Sequence, residues 1–160
     1  MPLSKIDSDS LNSGVPTRAQ MPVGSVLQVV QGNLETTAST TSSTYASTGL
    51  SASITPTSAS SKILVLTSAW CRKRGSAYIG LRLYRGGSSI VTFAAGFLYT
   101  ENSNVNDGVG AFNYLDSPAT TSSTTYTLYF ANVPGSGTVT MNSDGSGNSY
   151  STITLMEIAA

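Results

Sequence analysis

The sequence predicts an all-β protein: a single antiparallel β-sandwich, jelly-roll-like, with an extended N-terminal arm. Three observations carry that expectation. Ser and Thr fill 48 of 160 positions, 27 and 21 respectively, beside 15 glycines, a composition that suits strands and turns better than helices. Apolar residues come in short runs bounded by turn chemistry, many of them alternating with polar ones, which is the period of a strand covered on one face. No stretch of similar strength repeats at the helical period. A chain of 160 residues holds one domain with a true core and leaves no room for a two-domain enzyme.

Residues 1–24 read unlike the rest. Pro2, Pro16 and Pro22 punctuate a polar stretch whose scattered apolar residues Leu3, Ile6, Leu11 and Val15 are the candidate anchors of an arm. Ser4 with Asp7 three residues on resembles a helix cap, but the usual Glu or Gln is missing and Gly14 follows closely. The β-domain is expected over residues 25–160.

Within it, residues 26–31 form the first strand. The Thr/Ser tract 36–44 is either an exposed edge strand or a loop. Residues 50–55 end at Pro56, where a ladder loses a donor. Residues 62–70 are apolar on both faces, Ile63 and Val65 on one and Leu64 and Leu66 on the other, so both sides are expected to be covered, the outer one by a neighbouring subunit. Residues 78–85 alternate, with Ile79, Leu81 and Leu83 facing one way and Tyr78, Arg82 and Tyr84 the other. Gly86-Gly87 then makes a hairpin turn. Its partner strand, 89–99, has Ala94-Ala95-Gly96 in its middle, a bulge or a close backbone contact. Residues 109–115, 124–131, 137–141 and 151–158 complete the set. Long Ser/Thr- and Asn-rich connections let strands cross between sheets, which favours a jelly roll; an immunoglobulin-like sandwich is the alternative.

The composition excludes several functions. Histidine is absent, which removes the Ser-His-Asp and Cys-His nucleophile schemes and the commonest zinc ligand. Cys71 is the single cysteine and has no partner for an internal disulfide, in keeping with cytoplasmic assembly. No apolar run reaches a membrane span and no cationic stretch leads into an apolar core, so neither membrane nor classical secretion is expected. Ser61 and Lys62 are strand neighbours pointing to opposite faces and cannot act as a dyad. Gly135-Ser136-Gly137 and Gly145-Ser146-Gly147 lack the Gly-Lys-Ser/Thr ending of a phosphate loop. No catalytic site, cofactor or metal is expected, and the chain reads as a non-enzyme.

Eight basic and eight acidic residues cancel, which argues against nucleic acid as a partner, yet the charges are segregated. Residues 36–100 hold no acid but carry Lys62, Arg72, Lys73, Arg74, Arg82 and Arg85, while residues 101–160 hold Glu101, Asp107, Asp116, Asp144 and Glu157. Complementary faces on neighbouring subunits would use such a split. Arg72, Lys73, Arg74, Tyr78, Arg82 and Tyr84 are therefore subunit-interface candidates, a solvated polar loop over 72–74 being the plainer reading. Two polar loops are ligand candidates. One holds Glu101, Asn104, Asn106 and Asp107 on a long tip suited to a glycan or Ca²⁺. The other places Asp144, Ser146 and Asn148 between glycines, without the acidic residue a calcium loop needs for bidentate ligation. A plain Gly-rich hairpin is the simpler reading of the second loop and loop solubility that of the first.

Several segments, in order, resemble a known family: 24–30 (GSVLQVV), 48–56 (TGLSASITP), 60–66 (SSKILVL), 83–87 (LYRGG), 115–118 (LDSP) and 153–158 (ITLMEI). Together they resemble tailed-bacteriophage virion surface proteins of the marine and cyanophage type, tail-fibre-like or head-associated. The resemblance implies a homotrimeric β-sandwich on the virion, partnered by the major capsid protein or tail components. It makes the expected role a non-enzymatic capsid decoration or cement protein held by its arm. A tail-fibre or adhesin tip binding host glycans through the two loops is the alternative, and a free soluble lectin the third.

Overall fold

The structure is a computed structural model, and it describes residues 21–100, 104–133, 137–142 and 149–160. The arm candidates Leu3, Ile6, Leu11 and Val15 and the loop candidates Glu101, Asp144 and Asn148 lie outside the described residues.

Ten strands are described: β1 (Val26–Leu34), β2 (Ala38–Thr40), β3 (Ala46–Ile54), β4 (Lys62–Gly75), β5 (Ile79–Arg85), β6 (Ser88–Phe97), β7 (Asn106–Asp116), β8 (Thr124–Asn132), β9 (Gly137–Met141) and β10 (Ser151–Ile158). The Thr/Ser tract contributes only the three residues of β2. The pairing is nested about the middle of the chain. β5 pairs β6, β4 pairs β7, β3 pairs β8, β2 pairs β9 and β1 pairs β10, all antiparallel. A long hairpin has thus been folded over on itself. Cross-links between its arms then close two sheets: β1-β10-β4-β9-β2 with β7 on the far edge of β4, and β3-β8-β5-β6. Eight of these strands in the orders β1-β10-β4-β7 and β3-β8-β5-β6 make the jelly roll, and the immunoglobulin-like alternative falls.

The turn at the centre of the nest is Gly86-Gly87, both at positive φ (54° and 87°), as the tight hairpin turn matched to strand twist requires. The expected bulge is present: Leu81 pairs Ala94 and Ile79 pairs Phe97, so β6 carries one residue more than β5 there.

Alternation decides which side chains fill the core. Ile79, Leu81 and Leu83 of β5 and Tyr126, Leu128 and Phe130 of β8 face inward against Ile63 and Val65 of β4 and Ile153 and Leu155 of β10. One edge of the sandwich closes where β1 meets β3. There a Cβ on Gly32 would overlap the carbonyl oxygen of Ser51, so only glycine fits. The other edge closes on rings: Phe93 stacks on Phe112 at 5.1 Å, and Phe97 meets Phe112 edge-on.

β4 differs from its expected form in two ways. It runs on to Gly75, because β9 pairs its second half, Cys71 to Gly75, after β10 has paired Lys62 to Ser68. Its outer residues Leu64, Leu66 and Trp70 are only half-buried, so the chain's own fold leaves the second apolar side open. Arg72-Lys73-Arg74 is therefore strand and not a loop. Lys73 is 0 % exposed, turned inward by the same alternation that buries Cys71, and cannot serve as a subunit-interface residue. Its ammonium donates to the Gly75 carbonyl and to the Thr100 hydroxyl.

Candidate functional site

Three polar clusters are buried, and each serves the fold. The Asp116 carboxylate accepts from Arg85 (2.7 Å) and from the Tyr126 hydroxyl (2.6 Å), joining β7, β5 and β8 beneath the sandwich end. The hydrogen bond to Asp116 raises the Arg85 pKa; burial, then the bond to Asp116, raises that of Tyr126. Glu157 of β10 is fully buried, accepting from the Thr57 amide and hydroxyl (2.7 Å each) and from Gln28 (2.6 Å). Burial pushes its pKa up, but the donors from Thr57 and Gln28 outweigh it and the carboxyl sits below its ordinary value. Asn142, at positive φ, donates to the Leu34 carbonyl (2.7 Å) and accepts from the Ser151 hydroxyl (3.1 Å).

The charge segregation has an internal use. Arg72 donates from Nε and Nη2 to both oxygens of Asp107 at 2.6 and 2.7 Å, and Arg85 pairs with Asp116. Each ion pair joins the basic stretch to the acidic one across the nested pairing, so these charges need no partner chain. Asn106 and Asp107 belong to strand β7, opposite Lys73 and Arg72, and not to a loop tip; Asn104 lies exposed just before it. Arg74 is exposed beside Thr138. Tyr78 packs edge-on against Tyr99 at 5.5 Å. Among the described residues no group of three or more His, Cys, Asp or Glu could hold a metal ion, and no helix is long and apolar enough to cross a membrane.

Recognition chemistry gathers on the two outward sheet faces. On the six-stranded sheet, register aligns Val29, Met156, Leu64 and Leu115 in one row across four strands. Val29 is 55 % and Leu115 49 % exposed. Val26 and Ile158 flank the row on one side, Leu66 on the other, and Trp70 with its register partner Val109, 57 % exposed, extends the strip toward Arg72. The outward polar positions between are mostly uncharged: Gln31, Thr154, Asn113, Thr152 and Ser68. Of this strip, sequence reasoning found Leu64 and Leu66 as a second apolar side of β4 and missed Val29, Val109, Leu115 and Met156. Their signal was the strand alternation itself, visible only once the register is known.

On the four-stranded sheet, the Arg82 guanidinium lies over the Tyr45 ring, its Cζ 3.9 Å from the centroid. Its register partner is Tyr129, which stacks on Tyr84 at 3.8 Å and 16°. Tyr45 covers the sheet where Gly80 leaves room; a Cβ there would overlap the Tyr45 hydroxyl. Arg82 and Tyr84 were foreseen on one face, whereas Tyr45 and Tyr129 were not.

The fold defines the class of protein: a single jelly-roll β-sandwich with no assembled catalytic group among its described residues. No protein-family model matches the chain, and no curated protein matches it. Solved structures of similar shape include particles and the VP2 protein of infectious bursal disease virus. The VP2 subviral particle is 14 % identical, with a TM-score of 0.43, covering 85 % of this chain and 38 % of that one. The structure of the Gx strain is 14 % identical at a TM-score of 0.43, covering 83 % and 37 %. The T13 viral particle is 14 % identical at a TM-score of 0.44, covering 100 % and 40 %. The chain thus spans about two fifths of the chains it matches. These findings overturn the tailed-bacteriophage resemblance. The solved chains of similar shape belong to an animal virus and neither comparison by sequence returns a phage protein, because the quoted segments are strand-and-turn pieces that many β-sandwiches share. The assignment as a phage decoration or cement protein, and the tail-fibre alternative, go with it.

Proposed function

We propose that this chain is a non-enzymatic structural module of a virus particle that packs against other copies of itself through the outer face of its six-stranded sheet. The single observation that carries the reading is the apolar strip across β1, β10, β4 and β7. Monomeric proteins rarely leave contiguous apolar surface of this kind uncovered. The matched structures are of viral particles, and a virus particle is the setting we propose; the sheet face supports the packing of copies against one another.

Magnitude selects the occupant. Covering a half-exposed apolar side chain gains on the order of 1 kcal/mol, against an association cost of about 4–15 kcal/mol. Only a broad flat partner that covers the whole strip at once exceeds that cost, and a second copy's sheet brings its own strip as well. The face carries few charges, so two copies approach without repulsion. The homotrimer expected earlier loses its support with the resemblance, and the stoichiometry is left to the mass measurement.

Sedimentation velocity of the full chain tests the reading. The wild type is expected to associate, while Val29→Lys and Leu115→Lys, each at an exposed position, sediment as monomers with unchanged circular dichroism. A wild type that stays monomeric at about 100 μM, or lysine variants that associate as before, would overturn it.

A further inference from the structure

We infer that the outer face of the four-stranded sheet binds a carboxylate-bearing sugar, with Arg82 as the anion contact and Tyr84 and Tyr129 as the stacking surface. This face lies on the opposite side of the sandwich from the proposed copy-to-copy contact, so both can operate together.

The argument begins with a guanidinium that lacks an acid. The Arg82 side chain makes no ion pair or hydrogen bond to another described residue; its guanidinium sits against the Tyr45 ring, and its Nε is buried without an acceptor. A buried donor left unpaired is destabilising, so the position favours an incoming acceptor. The surrounding sheet offers no alternative: β3, β5, β6 and β8 contain no Asp or Glu. The other arginine of this sheet, Arg85, is already committed to Asp116.

The neighbours narrow the ligand. A planar guanidinium matches a carboxylate with two parallel hydrogen bonds, and the Tyr45 ring holds the Arg82 guanidinium in place at 3.9 Å. Beside it stands the stacked pair Tyr84 and Tyr129, aromatic surface of the kind that packs on the C–H face of a pyranose. Around these, register places the hydroxyls of Ser47, Ser51, Thr92 and Thr127 on the same face, suited to the ring hydroxyls of a sugar and poor for a greasy ligand. An isolated inorganic anion would use the arginine and leave the tyrosines idle. An acidic sugar uses both.

The test is saturation-transfer NMR and calorimetry on the full chain with three probes: sialyllactose, a glucuronic-acid oligosaccharide, and lactose as the neutral control. Binding of at least one acidic probe and not of lactose is expected, and which of the two binds tells a sialylated surface from a uronic-acid polymer. Arg82→Gln is expected to weaken that binding about tenfold or more, the loss of one charge-assisted pair. Arg82→Lys keeps the charge, loses the fork and should fall between; it also serves if the Gln variant misfolds. Absence of binding by both acidic probes at about 10 mM, equal binding of lactose, or unchanged affinity in both variants overturns the inference. Sedimentation of the same variants keeps it separate from the assembly reading, since none of these changes touches the apolar strip.

Discussion

Glu157 shows how one residue ties the two sheets together and makes stability depend on pH. Its carboxylate sits in β10, yet two of its three bonds come from Thr57, in the connection that follows β3, and the third from Gln28 in β1. Because the folded carboxyl has a lowered pKa, the unfolded chain binds more protons than the folded one just below the ordinary glutamate range. The contribution is therefore fully present above that range and is lost as pH falls from it through the lowered folded value. Urea unfolding at pH 7 and pH 3 should show a loss of stability in the wild type that is smaller in Glu157→Gln, and an equal loss in both would remove Glu157 as its source. At pH 7 the same variant should be less stable by roughly 2–4 kcal/mol, since an amide offers a donor where three donors already converge. Cys71 runs the other way: burial, against a backbone hydrogen bond from Gly110, pushes its thiol up from 9.0 to about 12. Folded protein should resist thiol reagents at pH 8 and react when unfolded in urea; equal rates would place the thiol outside the core. Lys73 reads in the sequence as one third of a basic loop, because a local pattern cannot show which charged side chains find partners after folding.

At the scale of elements, the strands were legible wherever alternation was clean and blurred wherever glycine or hydroxyl residues interrupted it. β5 was placed to within a residue, its three inward residues correct, because Ile79, Leu81 and Leu83 alternate without a break and Gly86-Gly87 closes the turn. β1 was cut short at Gln31, since Gly32 and Asn33 look like a turn; in the structure both continue the ladder, paired with Ile153 and Thr152. Gly32 is there for clearance and not for a bend, as its Cβ would meet the Ser51 carbonyl of β3. Gly87 is there for its positive φ, with open space around it. The two substitutions should therefore differ. Gly87→Ala strains one turn residue and should cost about 1 kcal/mol. Gly32→Ala forces β1 off β3 and should cost about 2–4 kcal/mol, as other overpacked sites do at their upper end. Denaturant midpoints decide it, and the reverse order would contradict the close approach of the two sheet edges.

For the whole molecule, the nested pairing explains how segregated charge in the sequence is paired within the chain among the described residues. Folding about Gly86-Gly87 lays the basic middle of the chain against the acidic later part, so Arg72 meets Asp107 and Arg85 meets Asp116 within one subunit. Sequence alone offered a different use, complementary faces on neighbouring chains, and could not choose, since the choice depends on which strands become neighbours. The two readings predict opposite responses to salt. An interface of opposite charges weakens as the screening length drops from about 10 Å at 0.1 M to about 3 Å at 1 M salt. The apolar strip of Val29, Met156, Leu64 and Leu115 carries no charge to screen, and sulfate strengthens apolar burial by its exclusion from protein surface. Association of the wild type should accordingly persist from 0.1 to about 1 M sodium chloride and tighten in sodium sulfate at equal ionic strength. Dissociation by sodium chloride would return the contact to the charged residues Lys62 and Arg74, which the described ion pairs leave exposed and unmatched, and would take the role of the sheet face in assembly away from the strip.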